Sequence, residues 1–449
     1  MAGSECALQL AARDIAVTLF EMRPVRATDV HKTDDCAELV CSNSLKSTKP
    51  ESAAGMLKHE LYVLGSKLYA CALDCSVAAG GALAVDRSAF SSEVTRRIEE
   101  HPHITLVREE VKDIVDLASA YDAVVIATGP LTSDALAEKI AVLTGSDHLA
   151  FYDAAAPIVM ADSLDMNVLF RQSRYEDACD AEGQAQGDYL NAPFTREEYD
   201  AFIEELLAAD RVVAKDFETA ELFQACQPIE EIARKGHDAP RFGTMKPVGL
   251  TDPRTGKRPW AALQLRAENR EQTSFNLVGF QTNLKFGEQQ RVFRMIPGLE
   301  QAEFARYGVM HRNTFIDAPR LLDNSLRLAG VTSAHDNVYF AGQVGGTEGY
   351  CEAIRSGLHV ALSIAARMQG QEPPALPRET AFGALIDYAT SPETVDYQPS
   401  HVNFGIMVPL ETRVKNKAQR YAAYASRGDA ALKRYRALLE ACGLTLGDA

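Results

Sequence analysis

Short apolar runs alternate with helical patterns in both end regions of the chain. Residues 15–20, 122–128 and 338–340 are predominantly apolar segments of strand length. Residues 2–14 and 348–368 instead place apolar side chains on one face of a helix. Buried strands that alternate with helices are typical of a parallel sheet covered by helices on both faces. We therefore predict an α/β fold with a doubly wound parallel sheet.

The middle of the chain has a different pattern. Residues 196–210 repeat apolar side chains at helical spacing, whereas residues 240–295 are rich in Gly, Pro and Thr and alternate apolar with polar positions. Such alternation predicts antiparallel strands, so we expect an inserted α+β domain. The predicted parts are 1–157 (first part of the parallel-sheet domain), 158–315 (inserted domain) and 316–449 (second part, ending in a basic helix from about 412 to 439).

Composition excludes several classes of protein. The 449 residues carry 62 acidic and 46 basic side chains, a formal net charge of −16. This charge argues mildly against a nucleic-acid partner unless a local basic patch exists. No stretch approaches the roughly 20 apolar residues of a membrane span, and residues 1–14 lack the pattern of a secretory signal. The nine cysteines form no C-x-x-C pair, so we predict reduced thiols, no metal site and a cytoplasmic protein.

The first residues resemble part of a dinucleotide-binding unit. Such a unit has glycines where a strand meets a helix, and an acidic residue at the end of the next strand contacts a ribose hydroxyl. Here Gly3 lies at a predicted helix start and Glu21 ends the following strand. The same segment, taken alone, also fits an ordinary helix and strand with a surface glutamate.

Two later segments favour the dinucleotide interpretation. Residues 127–129 (ATG) follow an apolar strand, a pattern that flavoproteins use where a strand end approaches the dinucleotide. Residues 341–350 (AGQVGGTEGY) enter a helix, which would place backbone N–H groups beside a flavin ring. The order of the three segments along the chain fits a flavin-binding domain.

Several blocks together resemble one family, the folate- and FAD-dependent tRNA uridine-54 C5-methyltransferases. The blocks follow the family's order and span nearly the whole chain. They are 21–24 (EMRP), 37–45 (AELVCSNSL), 79–87 (AGGALAVDR), 151–159 (FYDAAAPIV), 226–230 (CQPIE), 245–254 (MKPVGLTDPR), 307–314 (YGVMHRNT) and 402–405 (VNFG).

The resemblance implies a reaction on RNA. FAD would be reduced by NADPH or NADH, and methylenetetrahydrofolate would supply a one-carbon unit to C5 of uridine 54 in the T-loop of tRNA. Uracil C5 becomes nucleophilic when a thiolate adds at C6, and the C5 proton must then leave to a base. Carried over by motif, Cys226 would be the nucleophile and Cys41 the base.

The resemblance also implies the cofactor contacts. The residues that would bind FAD are Ala2, Gly3, Glu21, Arg23, Gly129, Gly342, Gln343, Gly346, Glu348 and Gly349. Five other cysteines, outside the two catalytic blocks, are expected to be small buried apolar residues. They are Cys6, Cys71, Cys75, Cys351 and Cys442.

Two basic segments are candidates for the RNA contact. Residues 411–436 carry eight basic and two acidic side chains with three interleaved tyrosines, which favours binding to the phosphate backbone. Residues 246–258 hold a second cluster, which fits an RNA site or a solvated face equally well. For 311–313 (HRN), contact with folate or RNA phosphate competes with a buried core triplet.

The chain departs from the family at its start. The family usually begins Gly-x-Gly-Leu-Ala-Gly-Ser-Glu, whereas here Met1 precedes Ala-Gly-Ser-Glu. We expect either a start codon upstream of Met1 or loss of the first strand and of two pyrophosphate-binding glycines. Loss would impair folding or FAD affinity, which leaves a flavin-free RNA-binding protein as an alternative. The same chemistry on ribosomal RNA is another alternative, and the oligomeric state stays open.

Overall fold

A computed structural model describes most of the chain. The described residues are 1–28, 30–145, 149–175, 187–212, 227–329, 336–394, 397–444 and 446, and the side chains of 149–153 and 311–312 are not described.

The strands of the described chain group into pairs and sheets of both orientations. They are β1 (Val17–Glu21), β2 (Ser44–Ser47), β3 (Ser76–Val77), β4 (Ala82–Val85), β5 (Ile104–Arg108), β6 (Val124–Ile126), β7 (Leu149–Ala154), β8 (Ile158–Met160), β9 (Phe170–Arg171), β10 (Tyr189–Phe194), β11 (Ala261–Ala267), β12 (Ser274–Leu277), β13 (Phe304–Arg306), β14 (Met310–Phe315) and β15 (Val338–Phe340).

Helices cover these strands. They are α1 (Ala2–Ala11), α2 (Ala53–Val63), α3 (Lys67–Asp74), α4 (Arg87–Glu99), α5 (Val115–Ala120), α6 (Asp134–Thr144), α7 (Arg196–Ala208), α8 (Ile229–Arg234), α9 (Ala239–Phe242), α10 (Phe286–Phe293), α11 (Ala318–Leu321), α12 (Tyr350–Met368), α13 (Ala381–Thr390) and α14 (Lys417–Ala441).

The first and last parts of the chain share parallel strands. β1 pairs in parallel with β5, and β6 pairs in parallel with β15. The predicted segments 15–20, 122–128 and 338–340 correspond to β1, β6 and β15, which confirms the α/β prediction. Helix α1 packs against α12, where the backbones approach so closely that a Cβ at Gly357 would overlap the carbonyl oxygen of Ala2. This contact joins the two ends of the chain in one core.

The inserted region is built on a six-stranded sheet in the order β13-β8-β12-β11-β10-β9, with antiparallel pairing throughout. Helix α7 begins with a capping box formed by Thr195 and Glu198, which satisfies amide groups of the first turn. Its apolar face packs on the sheet, and Phe202 stacks on Phe280 with a centroid separation of 6.1 Å. The region is therefore α+β, as its sequence pattern predicts.

The last helix begins later than its sequence pattern predicts. Asn416 caps α14 by accepting a hydrogen bond from the amide of Gln419, so the helix starts at Lys417 rather than near residue 412. Two tyrosines of α14, Tyr424 and Tyr435, are buried and anchor the helix on the core. Within the described part of the chain, no helix is long and apolar enough to cross a membrane.

Candidate active site

A cavity of about 680 Å³ lies between the two parallel strand pairs. Residues of β1 line one side, residues of β6 line the other, and the starts of α1 and α12 also contribute to its wall. The structure thus brings together side chains from distant parts of the sequence. The predicted site residues that line this cavity are Ala2, Gly3, Glu21, Arg23, Cys41, Gly129, Gly342, Gln343, Glu348 and Gly349.

Two glycines bring the start of α1 close to the ends of β6 and β15. A Cβ added at Gly3 would lie 3.2 Å from the Cβ of Ala127, and one added at Gly342 would lie 3.1 Å from the Cβ of Ala2. Gly342 also has a positive φ of 78°, which favours glycine. The first amide groups of α1, which have no partner inside the helix, therefore lie at the cavity wall and suit an anion such as a pyrophosphate.

Glu21 and Arg23 form an ion pair at the end of β1. Arg23 Nε lies 2.9 Å from Glu21 Oε1, and Arg23 Nη1 lies 3.0 Å from Glu38 Oε2. Burial opposes ionisation of Glu21, but the hydrogen bonds and the charge of Arg23 outweigh it and lower the pKa of this carboxyl. Glu21 is thus an ionised acceptor, and Oε2, which accepts a single hydrogen bond from Arg23, retains room for a hydroxyl donor.

The turn before α12 presents a buried amide to the cavity. Gln343 is 9% exposed, and its Nε2 has no hydrogen-bond partner among the described residues. A buried donor without a partner is costly, so this atom is suited to a ligand acceptor. Gly346 differs from the other predicted residues: it lies outside the cavity wall, and a Cβ there would overlap the hydroxyl of Tyr397.

Cys41 is a half-buried thiol on the cavity wall. Its backbone N–H donates to the hydroxyl of Tyr350 at 3.0 Å, and its Sγ lies 3.8 Å from the carbonyl oxygen of Ala154. Burial, and then the neighbouring Cys41, raise the pKa of Tyr350, so this phenol stays protonated.

Cys226, the predicted nucleophile, lies outside the described residues. The segment that follows it contacts a residue of the cavity wall: the backbone N–H of Ile229 donates to the carbonyl oxygen of Gln281 at 2.8 Å, and Gln281 lines the cavity. Glu230 anchors this contact because its carboxylate accepts from Asn283 N at 2.6 Å and from Thr282 Oγ1 at 3.0 Å. Burial raises the pKa of Glu230 to about 7.

The other cysteines were expected to be buried apolar residues. Cys6, Cys71, Cys75 and Cys351 are buried, which confirms the expectation, whereas Cys442 is half-buried. Burial raises the pKa of Cys6 and of Cys71 to about 12. These two thiols are therefore unreactive at neutral pH.

Sequence reasoning missed a polar group at the cavity mouth. Lys46 Nζ lies 3.5 Å from Glu352 Oε1, and His401 also lines the cavity. Burial and then the charge of Lys46 lower the pKa of His401. Lys46 has a positive φ of 66°, which is uncommon for a residue with a side chain. Lys46 directly follows the block 37–45 and His401 directly precedes the block 402–405, so their positions beside the matched blocks were the available signal.

Part of the predicted RNA-binding segment 411–436 packs against the core. Tyr424 and Tyr435 are core residues, so these tyrosines are not available to stack on bases. Tyr421 stacks on Phe404 with a centroid separation of 4.1 Å. Lys415 and Lys417, in contrast, are exposed.

The second basic segment and the HRN triplet also have defined surroundings. Arg254 pairs with Asp252 at 2.9 Å, while Lys257 and Arg258 are exposed and Lys246 is half-buried. Asn313 is fully buried, and its side-chain amide has no partner among the described residues. Among the residues described, no cluster of His, Cys, Asp and Glu could hold a metal ion.

Comparisons with known proteins agree on one family. The family model "Glucose inhibited division protein A" matches residues 1–372. A protein of Geobacter sulfurreducens named methylenetetrahydrofolate--tRNA-(uracil-5-)-methyltransferase TrmFO is 52% identical over 421 residues, which cover 94% of this chain and 93% of that protein. Proteins of the same name from Bacillus licheniformis and Desulforudis audaxviator are each 49% identical, over 95% and 98% of this chain and 95% and 96% of their own lengths.

Solved structures share the fold. GidA of Aquifex aeolicus, in its form I crystal, superposes with a TM-score of 0.70 at 18% identity, over 99% of this chain and 74% of that one. The form II crystal gives a TM-score of 0.69 at 16% identity, over 99% and 72%. At this identity the likeness concerns the fold alone.

Proposed function

This chain belongs to the GidA family and, within it, to the TrmFO methyltransferases, and from that membership we propose that it methylates C5 of a uracil in tRNA with methylenetetrahydrofolate as the one-carbon donor. We further propose uridine 54 of the T-loop as the target, NADPH or NADH as the reductant, and a cytoplasmic location. The proposed domain limits are 1–157, 158–315 and 316–449.

The thiols would carry the chemistry on the uracil. We assign Cys226 as the nucleophile that adds at C6, which makes C5 an enolate-like carbon able to attack an electrophilic one-carbon unit. Cys41 would then accept the C5 proton. Once the transferred methylene unit has gained two electrons and become a methyl group, elimination of Cys226 would release 5-methyluridine. The hydrogen bond from the Cys41 amide to Tyr350 holds this thiol at the cavity wall.

The residues present fit FAD. The unpartnered Nε2 of Gln343 suits an acceptor on the flavin ring, the start of α1 with Gly3 suits the pyrophosphate, and the ionised Glu21 suits a ribose hydroxyl. Gly129, Gly342 and Gly349 have positive φ angles and line the cavity. Bound FAD would supply the electrons that convert the one-carbon unit into a methyl group.

One observation supports this proposal above the others. Cys41 lies in the wall of the same cavity as the glycines and polar groups that suit the dinucleotide. A base for the C5 proton must be within hydrogen-bond reach of the uracil, and the reduction takes place at the flavin. A shared cavity meets both demands.

For the RNA partner, we propose the exposed basic side chains of 411–436. Lys415, which precedes the cap of α14, and Lys417, the first residue of α14, are exposed, and charged groups on flexible stems can contact phosphates. The buried tyrosines of α14 would set the direction of the helix without contacting RNA.

The experiment is a methylation assay with purified protein, tRNA transcript, labelled methylenetetrahydrofolate and NADPH. We expect 5-methyluridine at position 54 for the wild-type chain, and none for Cys226→Ala or Cys41→Ala. Cys442→Ala, which changes a thiol outside the cavity, is the control and should keep at least about half of the activity. Cys226→Ala should also lose the covalent adduct with 5-fluorouridine RNA.

Other outcomes would replace the proposal. Methylation of ribosomal RNA but not of tRNA would show that ribosomal RNA is the substrate. A colourless protein that binds RNA and forms no 5-methyluridine would favour the flavin-free alternative. Retention of the 5-fluorouridine adduct by Cys226→Ala would remove Cys226 from the nucleophile role.

A further inference from the structure

The segment 39–43, which carries Cys41, has no regular secondary structure but is bound by arginines. The carbonyl oxygen of Leu39 accepts from Arg87, and that of Cys41 accepts from Arg87 Nη2 at 3.0 Å. Between them, the carbonyl oxygen of Val40 accepts from Arg306 Nη2 at 2.6 Å. Three consecutive carbonyl groups are thus held by guanidinium donors.

A third arginine binds the side chains of the same segment. Arg266 Nη2 donates to Ser42 Oγ at 2.6 Å, and Arg266 Nε donates to Asn43 Oδ1 at 2.8 Å. Asn43 in turn donates to the carbonyl oxygens of Val85 and Ala267, each at 3.0 Å. The segment is therefore fixed on both its backbone and its side chains.

These arginines come from two different domains. Arg87 is the first residue of α4, in the first part of the parallel-sheet domain. Arg266 lies in β11 and Arg306 in β13, both in the inserted sheet. The inserted domain thus reaches across to the segment that carries a proposed catalytic thiol.

Arg266 is buried, and Arg87 and Arg306 are half-buried, so the three guanidinium groups are wholly or partly withdrawn from water. The carboxylate of Glu268 lies 3.0 Å from Arg87 and outweighs the effect of burial, so the pKa of Arg87 is raised. Burial lowers the pKa of Arg266 and of Arg306, and the charge of Arg87 adds to the effect on Arg306. A buried guanidinium without an ion-pair partner is unfavourable unless hydrogen bonds replace its lost water. For Arg266 and Arg306, oxygen atoms of segment 39–43 provide such hydrogen bonds.

We propose that Arg87, Arg266 and Arg306 are positioning residues that fix segment 39–43 so that the Cys41 thiol faces the cavity. The inserted domain then determines where the proposed base lies. The inference rests on the proposed function for the role of Cys41, whereas the ordering of the segment can be measured without the reaction.

The test replaces Arg306 in the complete, flavin-loaded protein. Arg306→Met removes the donor to Val40, whereas Arg306→Lys keeps one donor on a long side chain. We expect Arg306→Met to lower kcat by about tenfold or more, because a small misplacement of a reacting group has a large effect on rate. KM for tRNA and for the folate should stay within about twofold, and Arg306→Lys should recover most of the rate.

Hydrogen exchange without RNA gives an independent readout. The Cys41 amide is protected by Tyr350, so a peptide covering 39–45 should exchange at least about fivefold faster in Arg306→Met. Peptides from β11 and β12 should be unchanged. Arg291→Met, which changes an exposed arginine of the inserted domain paired with Glu288, is the matched control and should leave both readouts at wild-type values.

A second variant covers the case in which Arg306→Met does not fold. Ser42→Ala removes the acceptor of Arg266 Nη2, keeps the contact between Arg266 Nε and Asn43, and takes no charge from the interior. It should lower kcat by about threefold and speed exchange of 39–45. Wild-type kcat with unchanged exchange in the folded variants would overturn the inference, as would a raised KM for tRNA at constant kcat. If the wild-type protein forms no 5-methyluridine, the proposed function fails, while the exchange data still decide whether the arginines order the segment.

Discussion

Glu230 provides a sharp test of the electrostatics of the inserted domain. This glutamate is fully buried at the start of α8, and its carboxylate accepts hydrogen bonds from Asn283 and Thr282. Glu230→Gln keeps the shape and can keep both contacts, because the amide oxygen accepts from Asn283 and the Thr282 hydroxyl can turn to accept from the amide nitrogen. The substitution therefore removes an ionisable group and little else.

The magnitude follows from the pKa. Burial raises the pKa of Glu230 from 4.5 to about 7. Below pH 4.5 the carboxyl is protonated in both the folded and the unfolded chain. Between pH 4.5 and 7 the unfolded chain ionises first, so the free energy of unfolding falls as pH rises, and above pH 7 the loss is complete. A shift of this size corresponds to about 3 kcal/mol in total, most of which is lost between pH 5 and pH 8.

The chain contains a single tryptophan, Trp260, which lies just before β11 in the inserted domain. Its fluorescence during urea unfolding reports on the domain that holds Glu230, so the free energies of the wild type and of Glu230→Gln can be compared at pH 5, 6, 7 and 8. We expect the variant to gain about 2–3 kcal/mol in free energy of unfolding relative to the wild type over this range. Glu204→Gln, an exposed glutamate of the same domain, is the control and should stay close to the wild type.

A constant difference between the wild type and Glu230→Gln from pH 5 to pH 8 would refute this reasoning. It would mean that Glu230 ionises at the same pH in the folded and unfolded states. A difference that shrinks as pH rises would reverse the sign and show that the hydrogen bonds outweigh burial.

Two further predictions concern RNA binding and the core. Replacing Lys415, Lys417 and Arg420 with Glu should weaken tRNA binding and reduce the slope of log affinity against log salt concentration by about 2. The flavin content should stay unchanged. An unaltered slope in filter-binding titrations would show that this segment does not contact the RNA phosphates. Gly357→Val should lower the free energy of unfolding by about 2–3 kcal/mol, because the valine side chain would overlap the backbone of α1. Gly236→Ala is the control: a Cβ at Gly236 would contact no other atom, so the melting temperature should change little.

Local pattern was enough to predict the parallel-sheet domain. The run 338–340 is β15 residue for residue, because a buried parallel strand must be apolar on both faces. The glycines at 3, 129, 342 and 349 line one cavity, as expected of glycines that let the backbone approach a dinucleotide. Constraints of this kind act on neighbouring residues and are therefore visible as local patterns in the sequence.

Contacts between residues far apart in the chain could not be predicted from local patterns. Nothing in the neighbourhood of Arg266 or Arg306 shows that their side chains reach segment 39–43, more than 200 residues earlier. Glu230 and Glu231 are adjacent, and only the packing of α8 buries the first of them. The tyrosines of α14 suggested a surface for RNA, but helical spacing places Tyr424 and Tyr435 on the face that meets the core.

The contact between α1 and α12 has a consequence for biosynthesis. α1 leaves the ribosome before its partner α12, which begins at Tyr350 and is made roughly 20–70 s later at usual elongation rates of about 5–20 residues per second. The inserted domain is continuous in sequence and is complete before α12 emerges. Until α12 has been made, the apolar surface of α1 lacks this partner, and the cavity wall to which the start of α12 contributes is incomplete.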